Sequence, residues 1–371
     1  MSPDTELLDG IVLSLVEGIG ARTYRLLLER FGSASAILNA ARSDLTGYEF
    51  LKPETAANLA AARKTIDPAA VVAYCEREHI SIIPLNDKRY PPQLRSIIDP
   101  PPILYVKGSI LPQDAFSLAV IGTRHCSPYG RRQTERLTAA LVSNGFTIIS
   151  GLALGIDSIA HRSALKSGGR TLAVLGSGVS RIYPPEHVDL AAEIADSGGA
   201  VLSEYPPLQH PANWTFPQRN RIVSGLSLGV LIIESPLRSG AMISARLAGE
   251  QGRDLFAVPG RIDSPVSQGC HQLIRDGAFL TESADDIVNV LGPLPQPVLF
   301  PVHSKALRHP NEVSLNDTEE RVLHSISTEA TSLESIVLQS GLELHQIVTA
   351  LNVLERKRII RLLSPMVFIR V

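Results

Sequence analysis

Seven short runs of aliphatic residues recur between Phe116 and Ser283. They are FSLAVIGTR, FTIISGLA, TLAVLGSG, AVLSEYPP, GVLIIESP, DLFAVPG and the shorter AFLTES, and each leads into helical periodicity. A strand that is apolar along its whole length is buried on both faces. Such strands alternating with helices pair in parallel through right-handed crossovers, because a tight hairpin cannot reach a parallel partner. The pattern predicts an α/β fold built on a doubly wound parallel sheet.

Sheets of this type hold ligands beyond the carboxyl ends of their strands, at the point where strand order reverses. Glycine, serine and arginine collect at those ends. Gly122-Thr123-Arg124 follows the first run, Ser150-Gly151 the second and Gly176-Ser177-Gly178 the third, and Ser239-Gly240 opens the helix after the fifth. The stretch FPQRNR brings Phe216, Gln218, Arg219, Asn220 and Arg221 shortly before the fifth run. Arginine beside a strand-to-helix corner suits a phosphate, since the guanidinium offers paired donors and the helix end adds unpaired N–H groups. Glu204 and Glu234 close the fourth and fifth runs. They could grip a ribose, but orienting Arg219 or Arg221 is the preferred reading, because crowded arginines repel without a counter-charge. Tyr183, Tyr205, Trp214 and Phe216 fall on loops near the same ends in a chain that is 5% aromatic. They are expected either to stack unpaired bases or to anchor their loops.

Asp157 and His161 lie four apart on one helix face, which permits an acid–base or metal pair. The simpler reading is a helix-start aspartate and a packed histidine. No third ligand stands at metal spacing, and no Walker A loop, nucleophile elbow or dinucleotide fingerprint occurs. No catalytic residue, metal or cofactor is therefore expected. The formal net charge is −2, so an anion site must be a local patch. Cys75, Cys126 and Cys270 are far apart and odd in number, which predicts a reducing, cytoplasmic setting. No signal peptide and no membrane span are predicted.

The flanks differ from the centre. Residues 1–66 read as a helical module. Its Gly18-Ile19-Gly20 turn has the pattern of a helix-hairpin-helix or of a small bundle. Residues 67–291 form the sheet domain, in which Asp67 to Leu111 reads as an extended lead-in. Residues 292–314 are rich in proline and read as a linker. Residues 315–371 predict three helices (the third spanning Glu343 to Arg356) and a hairpin of Ile359–Leu363 with Val367–Val371, a winged helix.

The motifs VIGTR, SGLALGIDSIAH, VLGSGVSRIYP, SEYPP, FPQRNRIVSGLS, ESPLRSGAMISARLA, GRDLFAVPG and QGCHQLIRDGA span about Val120 to Ala278. In order and density they resemble the DprA/Smf family, the DNA-processing protein A of natural transformation. The resemblance implies an extended Rossmann domain that binds single-stranded DNA, flanked by a SAM-like helical module and a winged helix. It also implies a homodimer through the Rossmann domain and recruitment of RecA recombinase onto the DNA, with no reaction catalysed. By matching motif, the strand would be held by Gly122, Thr123, Arg124, Ser150, Gly151, Phe216, Gln218, Arg219, Asn220, Arg221, Ser239 and Gly240. Two positions depart from the family pattern. Pro185 stands where a basic residue is common, and Met242 and Ser244 replace leucine and threonine. The helices around Ala245–Leu247 and Gln272–Ile274 are the expected dimer side.

Two rivals remain open at the level of sequence. The Ser-Gly corner followed by Arg246 and Glu250 also suits a phosphoribohydrolase acting on nucleoside monophosphates, although its Pro-Gly-Gly run is missing after Glu234. The winged helix could instead make the chain a duplex-binding regulator.

Overall fold

The computed structural model describes residues 5–45, 47–291, 317–326, 331–342, 346–347, 350–351, 354, 360–364 and 367–370. They fall in two compact units, Met1–Pro297 and Val298–Val371.

The first unit opens with five helices: α1 (Thr5–Leu15), α2 (Ala21–Phe31), α3 (Ala34–Asn39), α4 (Arg42–Leu45) and α5 (Pro53–Thr65). They enclose their own apolar cluster, with Leu13, Leu27, Ile37 and Leu59 at its centre. The turn between α1 and α2 needs glycine at Gly18, where φ is 90°, and a Cβ there would strike Thr55 of α5. That side of the turn is packed on a helix.

Helix α6 (Pro68–Arg77) starts at Asp67, whose carboxylate accepts hydrogen bonds from the amides of Ala69 and Ala70 at 3.0 and 3.2 Å. It leads into β1 (Ile80–Pro84), α7 (Pro92–Arg95) and β2 (Ile103–Gly108). The seven apolar runs then become β3 (Ser117–Ile121), β4 (Thr147–Ser150), β5 (Thr171–Val174), β6 (Ala200–Ser203), β7 (Gly229–Ile232), β8 (Asp254–Ala257) and β9 (Phe279–Leu280). Between and after them lie α8 (Pro128–Ser143), α9 (Ile156–Lys166), α10 (Val188–Asp196), α11 (Thr215–Leu226), α12 (Gly240–Glu250), α13 (Gln268–Arg275) and α14 (Ala284–Leu291).

All nine strands form one sheet in the order β1-β2-β6-β5-β4-β3-β7-β8-β9. Strands β3 to β9 are mutually parallel. The segment read as a lead-in instead supplies α6, α7 and two antiparallel strands, with β2 docking on β6 from Tyr105↔Ser203 to Gly108↔Ala200. Alternate side chains of each strand point to opposite faces. Ala119, Ile121, Leu172, Val174 and Ile232 pack under α11, α12 and α13, while Leu118, Val120, Ile148 and Leu231 pack under α8, α9 and α14. Both faces are therefore covered, which is why these runs carry no polar alternation. Ala245 and Leu273, on the expected dimer side, are used in this core and buried against the sheet. Ile11 of α1 joins a third cluster with Ile103 and Val201, so the first helix also packs on the sheet.

The second unit holds α15 (Asp317–His324), α16 (Leu333–Ser340) and an antiparallel sheet of β10 (Thr331–Ser332), β11 (Ile360–Ser364) and β12 (Val367–Arg370), in the order β10-β12-β11. The β11–β12 hairpin falls where the sequence predicts the wing strands. The expected linker, and most of the expected third helix including Glu343 and Asn352, lie outside the described residues. Among the described residues, no helix is long and apolar enough to cross a membrane.

Candidate functional site

Strands β3 and β7 are neighbours, yet the chain leaves β3 toward β4, β5 and β6 and leaves β7 toward β8 and β9. Their carboxyl ends are the switch point of the sheet. A cleft of about 530 Å³ opens there, lined by residues after β3, at the start of α11 and at the start of α12.

The loop after β3 is locked in place. The Thr123 amide donates to the Glu234 carbonyl at 2.8 Å, and the Ile156 amide donates to the Thr123 carbonyl at 3.2 Å. Gly122 is required by packing, since a Cβ there would lie 2.9 Å from the Glu234 carbonyl oxygen and against Ile156. Arg124 then emerges into the cleft exposed, with its guanidinium carbon 5.9 Å from the centroid of the Phe216 ring. Across the cleft, Ser239 caps α12 by accepting from the Met242 amide at 3.3 Å, and its hydroxyl bonds Ser235 at 2.7 Å. Gly240 follows in open space, with nothing within 4 Å of where a Cβ would stand. Asn220 ties α11 to this corner by donating from Nδ2 to the Gly240 carbonyl at 3.3 Å.

Eight of the twelve residues expected from sequence line this cleft: Gly122, Thr123, Arg124, Phe216, Arg219, Asn220, Ser239 and Gly240. The other four are placed differently. Ser150 is fully buried and spends its hydroxyl on the Val120 carbonyl at 2.7 Å. Gly151 presents no free amide, because its N–H goes to Asp157 Oδ2 at 3.1 Å and its carbonyl accepts from Arg219 at 2.5 Å. The Ser150-Gly151 corner, expected to cradle a phosphate, is thus satisfied internally. Arg221 is buried in a two-pronged pair with Glu204, at 2.8 and 2.7 Å, and also reaches the Asp99 carboxylate at 3.2 Å. Gln218 is exposed, but its Oε1 accepts from the Tyr205 hydroxyl at 3.0 Å.

Arg219 lies at the floor of the cleft rather than on its wall. It is buried, and Nη1 donates to the carbonyls of Gly151 and Val174, tying the ends of β4 and β5 together. Burial pushes its pKa down to about 10, partly offset by nearby Asp157, so it remains a cation at neutral pH. Burial raises the Asp157 carboxyl, while Arg219 lowers it. No hydrogen bond joins His161 to Asp157; the histidine Nδ1 instead lies 2.6 Å from the Thr171 hydroxyl. The Thr171 hydroxyl already donates to the Ile148 carbonyl at 2.8 Å, so Nδ1 carries the proton. Burial first, then His187 and Arg219, lower the His161 pKa to about 3, and the ring is neutral. Among the described residues, no group of three or more His, Cys, Asp or Glu side chains is gathered to hold a metal ion.

Glu204 orients Arg221 as expected, but Glu234 orients neither arginine. Its carboxylate accepts from the Ser127 amide at 2.8 Å and from the Ser127 hydroxyl at 2.5 Å, at the start of α8. One cleft cation was missed in the sequence. Arg238 is exposed in the lining, one residue before the Ser239 cap, and like Arg124 it makes no ion pair with the described residues. Its signal was the same as that of Arg124, an arginine at a strand-to-helix corner. Arg246 and Glu250, on which the phosphoribohydrolase reading relied, pair with each other on the exposed face of α12 and do not line the cleft.

The cleft therefore offers two guanidinium groups that are unpaired among the described residues, a helix start and aromatic rings. That set matches an extended anion carrying planar groups. The family model for DNA recombination-mediator protein A matches residues 81–292. Protein Smf of Escherichia coli is 39% identical over 299 residues, covering 79% of this chain and 78% of that protein. DNA processing protein DprA of Bacillus subtilis is 42% identical over 225 residues, covering 60% and 75%. Among solved structures, DprA of Streptococcus pneumoniae superposes with a TM-score of 0.66 at 35% identity, covering 76% of this chain and 97% of that one. DNA processing protein A of Helicobacter pylori, described for its single-stranded DNA binding mode, gives 0.52 at 34%, covering 57% and 95%. The chain belongs to the DNA recombination-mediator protein A family.

Proposed function

We propose that the switch-point cleft holds single-stranded DNA and that the protein is a recombination mediator without a chemical reaction of its own. In this reading it binds incoming DNA in the cytoplasm, protects it and passes it to RecA recombinase, acting as a homodimer through the sheet domain. The N-terminal helices are a SAM-like module, and the C-terminal unit is a winged helix. The observation that carries the reading is Arg124, exposed and unpaired over the Phe216 ring, facing the open Gly240 corner across the cleft. A cation beside an aromatic face meets the two parts of an unpaired nucleotide, its phosphate and its base. Family membership and the single-stranded DNA binding described for the Helicobacter pylori relative support it.

Fluorescence anisotropy with a labelled oligo-dT tests it. Replacing Arg124 by alanine removes a charged contact worth about 1.5–3 kcal/mol, so affinity should fall roughly ten- to a hundredfold. Equal affinity of the native and Arg124→Ala chains would sink the assignment.

A further inference from the structure

The start of α11 is flanked by two aromatic pairs, and the cleft uses only one. Tyr183 and Phe216 pack at 5.4 Å and line the cleft. Tyr205 and Trp214 pack at 5.9 Å, with ring planes 84° apart, and lie outside the cleft lining. Asn213, one residue before Trp214, and Phe216, two after it, both line the cleft, so Trp214 stands at its rim.

Trp214 is 56% exposed, a large unfavourable exposure for the sole tryptophan of the chain. It is nevertheless held. Tyr205 abuts it at a right angle, and the Tyr205 hydroxyl is fixed to Gln218 of α11 at 3.0 Å. A perpendicular neighbour covers at most one face of the indole. A ring that is both exposed and braced has already lost the freedom that stacking would cost it.

We infer that Trp214 is a second stacking platform, taking an unpaired base of the same strand that occupies the cleft. The inference rests on the single-stranded DNA reading above. The occupant follows from continuity and charge. The platform adjoins a cleft whose free charges are Arg124 and Arg238, so the polymer led to it is anionic and carries flat apolar faces. Stacking on an indole needs a base whose face is free, which an unpaired strand supplies and a duplex does not.

Because the chain holds one tryptophan, its emission reports this site alone. The native full-length protein is titrated with oligo-dT, following anisotropy and tryptophan fluorescence together. Quenching that saturates at the same concentration as the anisotropy is expected, with little change on adding a duplex of equal length. Trp214→Phe keeps a stackable ring and should bind within a few-fold of native. Trp214→Ala should bind roughly five- to 150-fold more weakly. Saturating anisotropy with unchanged emission, or equal quenching by the duplex, overturns the platform and leaves the cleft reading standing. Failure of the native chain to bind oligo-dT at all overturns both.

Discussion

Arg221 and Glu204 face each other as two parallel hydrogen bonds, Nη1 to Oε1 at 2.8 Å and Nη2 to Oε2 at 2.7 Å, with both side chains nearly withdrawn from solvent. The pair joins α11 to the end of β6, and Arg221 Nε adds the Asp99 carbonyl at 3.1 Å. Removing one partner strands a buried charge, so Arg221→Ala and Glu204→Ala should each lose about 3–5 kcal/mol in urea unfolding. The folded fraction of either variant should still bind oligo-dT through Arg124. A stability loss below about 1 kcal/mol would contradict the structural role given to this pair.

The two free arginines of the cleft should act through phosphate charge. The slope of log affinity against log salt should become shallower by about 0.7 for each of Arg124→Ala and Arg238→Ala. Neither change should alter stability by more than about 0.5 kcal/mol, since neither residue is buried. Anisotropy titrations over a range of potassium chloride concentrations measure the slopes. An unchanged slope for Arg238→Ala would remove that residue from the site.

Two glycines of the cleft should separate folding from binding. A Cβ at Gly122 would meet the Glu234 carbonyl and Ile156, and Gly122→Ala should cost about 1–3 kcal/mol by overpacking. A Cβ at Gly240 meets nothing, and Gly240→Ala should leave thermal unfolding unchanged or slightly improved. If a phosphate approaches that corner closely, Gly240→Ala still weakens oligonucleotide binding. Calorimetry and anisotropy on the same samples compare the two effects.

His161 should make the fold sensitive to acid. Its pKa is near 6.5 in the unfolded chain and lowered to about 3 in the folded one. Between those values the unfolded state binds the extra proton, so this group makes stability fall as pH falls from 6.5 toward 3. The slope is at most about 1.4 kcal/mol per pH unit. Asp157, whose pKa burial raises, works in the opposite sense, above the ordinary carboxylate range. The difference between native and His161→Phe chains isolates the histidine, and that difference should shift in favour of the variant on acidification. Parallel urea-unfolding curves of the two proteins from pH 7 to pH 4 would refute the assignment.

The sheet and the edge at which its cleft opens were legible in the sequence for local reasons. Residues such as Leu118 to Ile121 and Val230 to Ile232 are apolar on both faces, and only strands buried between two helical layers require that. The glycine, serine and arginine corners follow those strands directly in the chain, so the cleft's address was readable as well. The antiparallel pair β1 and β2 was not, because Ile103 to Gly108 carries the same apolar pattern in either strand direction, and its partner β6 lies far along the chain. Nor could the sequence tell the arginines apart. Arg124 follows a strand end while Arg219 and Arg221 share the FPQRNR stretch that opens α11, and each is an equal candidate until its counter-groups are in place. The folded chain brings Glu204 and Asp99 to Arg221, and the carbonyls of Gly151 and Val174 to Arg219, and among the described residues it leaves Arg124 and Arg238 without an ion pair. Local pattern determined where an anion could be held. Which charges remain free to hold it depended on long-range partners, and only the tertiary structure decided that.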